Sequence, residues 1–493
     1  MNKIINSKSF FVVSILYLTL PFIILMAGWV KLFIAVPVIV CLLFCLLRLI
    51  LKAPDLFELH IAKKEVKTLL FIAFIIFLWV AMSGIGGQAY QNDDHRSRNG
   101  AFNLLVENSW PVVGSVPYEG VVVERGVSYY IGFWLPSAVI GKLFGLRIGY
   151  LFQIVWAVLG VFLFYFGICI LLKRIKIWPL FVVIFFSGMD IIGTWLSGGD
   201  MQSISQSTHL EWWCNGIAQY SSMTTQLFWV FNQSIPAWLI VVLLLLLKDN
   251  RYMVLILSTA VLSCTMPFVG LLPYCAYWAF SRDYLVKRFS KEWWKHWYKD
   301  TFTIENILGG GIMGIISYFF VSNSGNNSNT GLHLLSFRNG GWLVWLTFIA
   351  VEIGGIIYIS RNNTKEKPLL YISTGILLIL PLIRNFGNDR SDLTMRASIP
   401  ALLVLCVMVI SSLSESLAKK SYYKFAIFVT ILAIGAVTPV HEMIRTISIT
   451  KERYVSEEYI SVKMPASSAE GKLKSIYWSA DTDTNLFYKY LAK

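Results

Sequence analysis

Two adjacent carboxylates, Asp93 and Asp94, followed by His95 and Arg96, stand just beyond an apolar run that ends in Gly86-Gly87. A carboxylate there emerges where helix gives way to water, at about the depth of a lipid headgroup. It can take a proton from an attacking hydroxyl, while nearby cations hold a departing phosphate. Asp93 is the first choice for the base, with Asp94 beside it, and Arg96 is placed to contact substrate. Arg125, Arg384 and Arg396 supply guanidinium forks for a phosphate. The plainer reading of an acidic pair after glycines is a solvated turn or a helix cap, worth roughly 0.5 to 2 kcal/mol.

A second group mixes polar and aromatic side chains: Asp200, His209, Glu211, Trp212, Trp213, Gln219, Gln226, Asn232 and Gln233. Sugar faces stack on rings while their hydroxyls need donors and acceptors, so His209, Glu211, Asn232 and Gln233, with Tyr129, are candidate substrate contacts. An interfacial aromatic belt would look similar. Asp200, His209 and Glu211 have the types for a divalent metal, but the spacing is loose and no protein-bound metal is expected. Two further carboxylates, Asp190 and Glu352, fall inside apolar runs, where a charge costs about 2.5 to 3.5 kcal/mol on insertion scales. Asp190 is close enough to a span end to line the same cavity, and Glu352 is expected to bond to a neighbouring helix.

The elements that must position these groups are membrane spans. Of 493 residues, 56% are hydrophobic and only 14% charged, and the mean hydropathy is +0.63, which excludes an ordinary soluble domain. The net charge of +14 gathers in short clusters between apolar runs, as cytoplasmic loops require, and points to topology and membrane lipid rather than to nucleic acid. Six of seven cysteines lie in apolar runs and Cys214 stands in a loop, which leaves no disulfide framework. Lys3 and Lys8 precede about twenty apolar residues without a small-residue cleavage site, so the first span is expected to be retained.

At about 20 apolar residues per crossing, spans are expected near 9–29, 31–51, 66–87, 147–171, 178–196, 234–247, 252–264, 266–281, 303–322, 340–359, 367–384, 397–416 and 424–441. These thirteen crossings let the basic loops at 48–67, 173–176, 248–251, 282–299, 361–367 and 419–424 all lie on one side. Residues 252–281, with Pro267 near the middle, must then form a hairpin of two short helices. Residues 128–146 lie along the outer interface, with Tyr129, Tyr130 and Trp134 at headgroup depth. The external segments are 88–146, 197–233, 323–339, 385–396 and a small cap of residues 442–493 that follows the membrane domain of residues 1–441.

The outer loop carries a likeness to a known family. Asp93-Asp94-His95-Arg96, Trp110-Pro111, Glu124-Arg125-Gly126-Val127-Ser128-Tyr129-Tyr130 and Gly141-Lys142-Leu143-Phe144-Gly145 together resemble the first external loop of the GT-C glycosyltransferases. The nearer branch holds the aminoarabinose and protein mannosyl transferases, with an Asp-Glu-x-Arg element, a Trp, a Lys-Pro-Pro-Leu-Tyr-Tyr segment and a Leu-Phe-Gly helix end. The likeness covers residues 90–172 and, weakly, Arg396-Ala397-Ser398-Ile399-Pro400. This chain departs from it in Asp94 for Glu, Arg125 for Lys and Gly126-Val127 for the prolines.

The resemblance implies an all-α polytopic GT-C-like bundle in a bacterial inner membrane, with its active site on the extracytoplasmic face. It implies transfer of a sugar, with inversion, from a polyprenyl-phosphate donor to a cell-envelope glycan such as an O-antigen-like polysaccharide or its lipid-linked precursor. Asp93 would act as base, and Arg125 and Arg396 would hold phosphate. No cofactor is firmly implied, though a divalent metal remains compatible. An O-antigen polymerase and a flippase for lipid-linked sugars are the alternatives.

Overall fold

The computed structural model describes residues 3–52, 58–61, 63–118, 121–199, 204–205, 208–214, 218–322, 332–334, 340–361, 366–385, 392–455, 471, 473 and 478–493. The chain is a predominantly helical multi-pass membrane protein. Among the described residues nine helices are long and apolar enough to cross a bilayer, or ten if Lys291–Thr301 and Glu305–Val321, bent by 48°, form one span. The shorter total, against thirteen expected, comes from elements that are apolar but brief. Met253–Ser263 and Lys367–Ile379 hold 11 and 13 residues, short of the length a crossing needs, and Thr265–Ser281, with 17, stands at its lower limit.

Residues 252–281 do form two helices, broken at Cys264 (φ −146°, ψ 60°). The Asn250 side chain donates to the Ala279 carbonyl at 3.1 Å, so both ends of the pair lie together. Asn306 holds the entry. Its Oδ1 accepts from the Val254 and Leu255 amides at 3.1 and 3.3 Å, and its Nδ2 donates to Asn250 and Thr301 carbonyls. The first helical amides, which have no partner within their own helix, are thereby satisfied.

Met223–Leu247 is the axis of the bundle. From Ile235 to Leu247 it is apolar around its circumference, and every residue of the helix but Trp229 is buried, as a helix without a lipid-facing side must be. The Ser222 hydroxyl caps it by accepting from the Thr225 amide at 3.0 Å, which starts the helix well before the expected 234. Leu146–Leu171 and Asp392–Ala418 pack beside it and are mostly buried, whereas Leu32–Lys52 and Glu65–Met82 turn most of their surface outward. Gly160 lets the first helix approach closely, because a Cβ there would meet the Tyr17 hydroxyl oxygen at 2.4 Å.

The two ends of the bundle differ in character. At one end basic residues gather around carboxylates, as in Arg48–Glu305 at 2.8 Å and Arg251–Asp249 at 2.6 Å. At the other end lie the helix Asp93–Glu107, a three-stranded antiparallel sheet and Gly132–Phe144. Gly132–Phe144 opens as a 3-10 turn and continues as a helix too short to cross. It folds back on the next helix where Gly141 meets Gly149. Strands Val113–Tyr118 and Val121–Val127 pair, and Ser479–Asp481 from the tail adds the third strand, with Arg125 opposite Asp481. Before this tail the chain stays helical through Val437–Val455, past the expected boundary at 442, because Glu442 and Arg445 are buried there against neighbours.

Candidate functional site

Three glycines set the position of the acidic pair. Gly84, Gly86 and Gly87 take φ of 82°, 75° and 72°, a left-handed region open to glycine, and turn the chain from Glu65–Met82 into Asp93–Glu107. Gln91 locks the turn by donating to the Gly84 carbonyl at 2.8 Å and accepting from Asn99 at 2.7 Å. Asp93 and Asp94 thus occupy the first helical turn, where negative charge complements the helix dipole.

The two carboxylates part company at once. Asp93 is exposed and shares an electrostatic environment with Tyr90, Arg445, Arg453 and Glu442. Asp94 binds Arg98, one turn on, at 2.8 Å. Arg96 is exposed, while Arg98 is buried with its guanidinium carbon 5.4 Å from the Phe231 ring centre. His95 is wholly internal. Its Nε2 donates to the Phe228 carbonyl at 3.1 Å and its ring stacks on Phe231. Burial, then the Arg98 charge, pushes its pKa down to about 3, so this histidine is a neutral scaffold.

The Phe228 carbonyl is available because the central helix breaks. Val230 leaves helical geometry (φ −136°, ψ 33°), and Asn92 as well as His95 donates to the carbonyl released before it. Pro236 withholds a further helical N–H within the same element. Asn232 and Gln233 follow the break. Both are buried, and Asn232 Nδ2 and Oδ1 and Gln233 Oε1 have no partner among the described residues.

Arg396 approaches the same region from the helix Asp392–Ala397. One of its amino groups donates to the Tyr130 hydroxyl at 2.7 Å and another lies 3.6 Å from Asp392. Tyr130 and Tyr129 join hydroxyls, with ring centres 3.6 Å apart, and Trp478 from the tail stacks on Tyr129 at 3.8 Å. Burial raises the Tyr129 hydroxyl well above the phenol range, and Arg396 and Arg98 both oppose that rise. Asp94 in turn acts on Arg396. Arg98 Nη1 and Arg396 Nε are buried without an acceptor among the described residues. An unpaired buried donor costs about 1 to 3 kcal/mol, so these two, both acting on Tyr129, are donors that an anion would satisfy.

Arg125 is elsewhere engaged. Its Nε and Nη2 donate to Ser479 at 2.8 and 2.9 Å, stitching the tail strand to the sheet. The backbone of Arg384 pairs with His333 in a short two-stranded ladder; its side chain lies outside the described residues, as does Asp200.

His209 and Glu211 belong to a separate polar network. His209 Nδ1 is 3.9 Å from Glu442 and 3.4 Å from Arg445, between the rings of Trp212 and Trp229. Trp229, next to the helix break, donates to Glu442 at 3.1 Å. Glu211 accepts from the Ser222 amide at 2.9 Å and from Gln219 at 2.8 Å, and burial, then the Asp190 charge, pushes its pKa up to about 8. Asp190 accepts from Ser187 and Thr438 at 3.0 and 2.8 Å, and Glu352 from Trp213 at 2.7 Å. Asp190 and Glu352 act on each other electrostatically, and Asp190 Oδ1 and Glu352 Oε2 have no hydrogen-bond partner among the described residues. Among the described residues no three of His, Cys, Asp and Glu gather as metal ligands.

No protein-family model, curated protein or solved structure matches this chain. Its class rests on its helices, and its chemistry on the site itself. Arg98 and Trp478 are the members that sequence reasoning missed. The spacing of Arg98, four residues after Asp94 on a helix, was the available signal.

Proposed function

We propose that the chain is an integral-membrane glycosyltransferase of GT-C type. It would move a sugar from a polyprenyl-phosphate donor to a cell-envelope glycan, an O-antigen-like polysaccharide or its lipid-linked precursor, at the extracytoplasmic face of a bacterial inner membrane. The observation that carries this reading is the pair of guanidiniums, Arg98 and Arg396, each keeping a buried N–H without an acceptor beside Tyr129 and Tyr130, with Asp94 between them electrostatically.

In the proposed reaction the acceptor hydroxyl oxygen attacks the anomeric carbon and the carbon–oxygen bond to phosphate breaks. The bonding electrons leave with polyprenyl phosphate, whose charge Arg396 and Arg98 meet, and inversion follows from attack opposite the leaving group. The hydroxyl proton passes to Asp93, the carboxylate with no ion pair among the described residues. Asn232 and Gln233 offer unpartnered donors and acceptors to sugar hydroxyls. The test is incubation of the purified protein with a panel of polyprenyl-phosphate sugars and a glycan acceptor, reading release of free polyprenyl phosphate. Absence of release across the panel, from protein that is folded and lipid-reconstituted, rejects the reading.

A transporter of lipid-linked sugars is the second reading, favoured by the broken central helix and the carboxyl pair Asp190–Glu352 within spans. Asp93→Asn separates the two. Lost sugar transfer with retained lipid translocation supports the enzyme, and translocation by the parent chain with no sugar transfer, lost in Asp93→Asn, supports the transporter.

A further inference from the structure

At the basic end of the bundle, opposite the acidic pair, a cavity of about 830 Å³ opens between five helix ends. Its floor is apolar, made by Leu245, Val404, Val407 and Met408. Its rim is cationic, made by Lys173, Arg174, Lys176, Lys248 and Lys419, against two carboxylates, Glu366 and Glu415. Those carboxylates are already used, Glu366 by Lys248 and Glu415 by Lys419 at 2.7 Å. Five positive charges less two negative ones leave an excess of three around a hollow with a greasy base. Ser411 and Ser414 add hydroxyls and Trp178 adds an indole at the same level.

The backbone favours a purpose for these lysines. The helices Leu146–Leu171 and Met223–Leu247 close on Lys173 and Lys248, with φ of 55° and 48°, and Ile399–Ala418 is followed by Lys420 with φ of 53°. Glycine takes this left-handed conformation without steric conflict and is the usual residue at such helix ends. Lysine complements the dipole of a helix C-terminus, yet that effect is available from neighbouring positions without left-handed strain. Of the three, Lys173 and Lys248 line the hollow itself, so two of its helix ends carry the strained choice.

We infer that this cavity binds one acidic glycerophospholipid, its phosphate held by Arg174 and Lys176 at the rim and an acyl chain lying on Leu245, Val404, Val407 and Met408. A lipid anion meets both surfaces at once: a fork and an ammonium for the phosphate, and an apolar floor for the tail. A soluble anion would use only the rim, and a zwitterionic lipid would bring its own cation against the lysines. The site is independent of the proposed transfer reaction, since it lies at the other end of the bundle.

The test is native mass spectrometry of the full chain, delipidated in detergent and offered phosphatidylglycerol, phosphatidylcholine of the same acyl chains, or inorganic phosphate. At equal concentration the acidic lipid is expected to be retained at least tenfold more than the zwitterionic one. Arg174→Ala with Lys176→Ala should lower its retention about tenfold, and Arg174→Lys with Lys176→Arg should restore it. Met408→Trp, which fills the floor and alters no charge, should also lower it. A thermal unfolding midpoint within two degrees of the parent chain qualifies each variant, and a variant outside that range is replaced by its partner in the set. Equal retention of both lipids, retention unchanged in both the charge and the floor variants, or displacement of lipid by equimolar inorganic phosphate would overturn the proposal.

Discussion

Arg396 donates to the hydroxyl of Tyr130 at 2.7 Å, so a cation carried at the start of one buried helix is held by a ring from the segment between the sheet and the short helix Leu135–Phe144. The bond leaves Arg396 Nε buried and unpaired. A guanidinium fixed by one nitrogen and open at another is preorganised for a second acceptor, and a phosphate oxygen supplies one without further ordering of the side chain.

Arg396→Lys keeps the charge and loses the fork. Release of polyprenyl phosphate should fall by about 10²-fold, measured as initial rates on protein whose elution profile is unchanged. A rate within threefold of the parent would remove Arg396 from the phosphate.

Asp93→Asn and Asp94→Asn should behave differently although the residues are adjacent. Asp93 makes no ion pair among the described residues, so its loss should abolish transfer and leave the thermal midpoint alone. Asp94 anchors Arg98. Half exposed, its pair is worth only about 0.3 to 0.5 kcal/mol, so Asp94→Asn should raise the KM for the donor more than it lowers kcat. Identical kinetic profiles for the two variants would contradict the division of labour.

Trp478→Ala removes the ring that backs Tyr129. A buried tryptophan truncated to alanine costs about 3 to 5 kcal/mol, so the thermal midpoint should fall clearly and protease sensitivity of the tail should rise. Trp478→Phe, which keeps an aromatic face, should recover most of both. A silent alanine variant would show that the tail does not support the tyrosine pair.

Two buried groups give stability a sloped dependence on pH. Glu211 is raised to about 8 from an unfolded value of 4.5, so the folded chain holds the extra proton over that window, and the stability it contributes at low pH is lost as pH rises through 8. His95 is lowered to about 3 from 6.5, so its contribution is present above 6.5 and lost as pH falls towards 3. Thermal unfolding should therefore peak between about pH 4.5 and 6.5. Glu211→Gln should flatten the alkaline limb and His95→Gln the acid limb. Persistence of the alkaline limb in Glu211→Gln would place its origin elsewhere.

Multi-pass character was legible because composition alone decides it, and the break of 252–281 into two short helices was legible in a run too long for one ordinary crossing and short for two. The candidate site was legible in its residue types and much less in its pairings. Arg125 looks like a free cation in sequence, but the register of a tail strand places Ser479 against it, and strand register between segments 354 positions apart has no local signature. Arg98 was hidden for a related reason. Its burial depends on Phe231, which reaches it only because the central helix breaks at Val230. Asn232 and Gln233 were recognisable as polar residues ahead of an apolar run, but their lack of partners follows from that same break.

The third strand of the outer sheet and Trp478 come from chain made after the last span. The far end of the chain is therefore part of this region's architecture. A chain cut at residue 455 would keep Arg98, Asp94 and Arg396 but lose the strand that takes two of Arg125's donors and the ring that backs Tyr129.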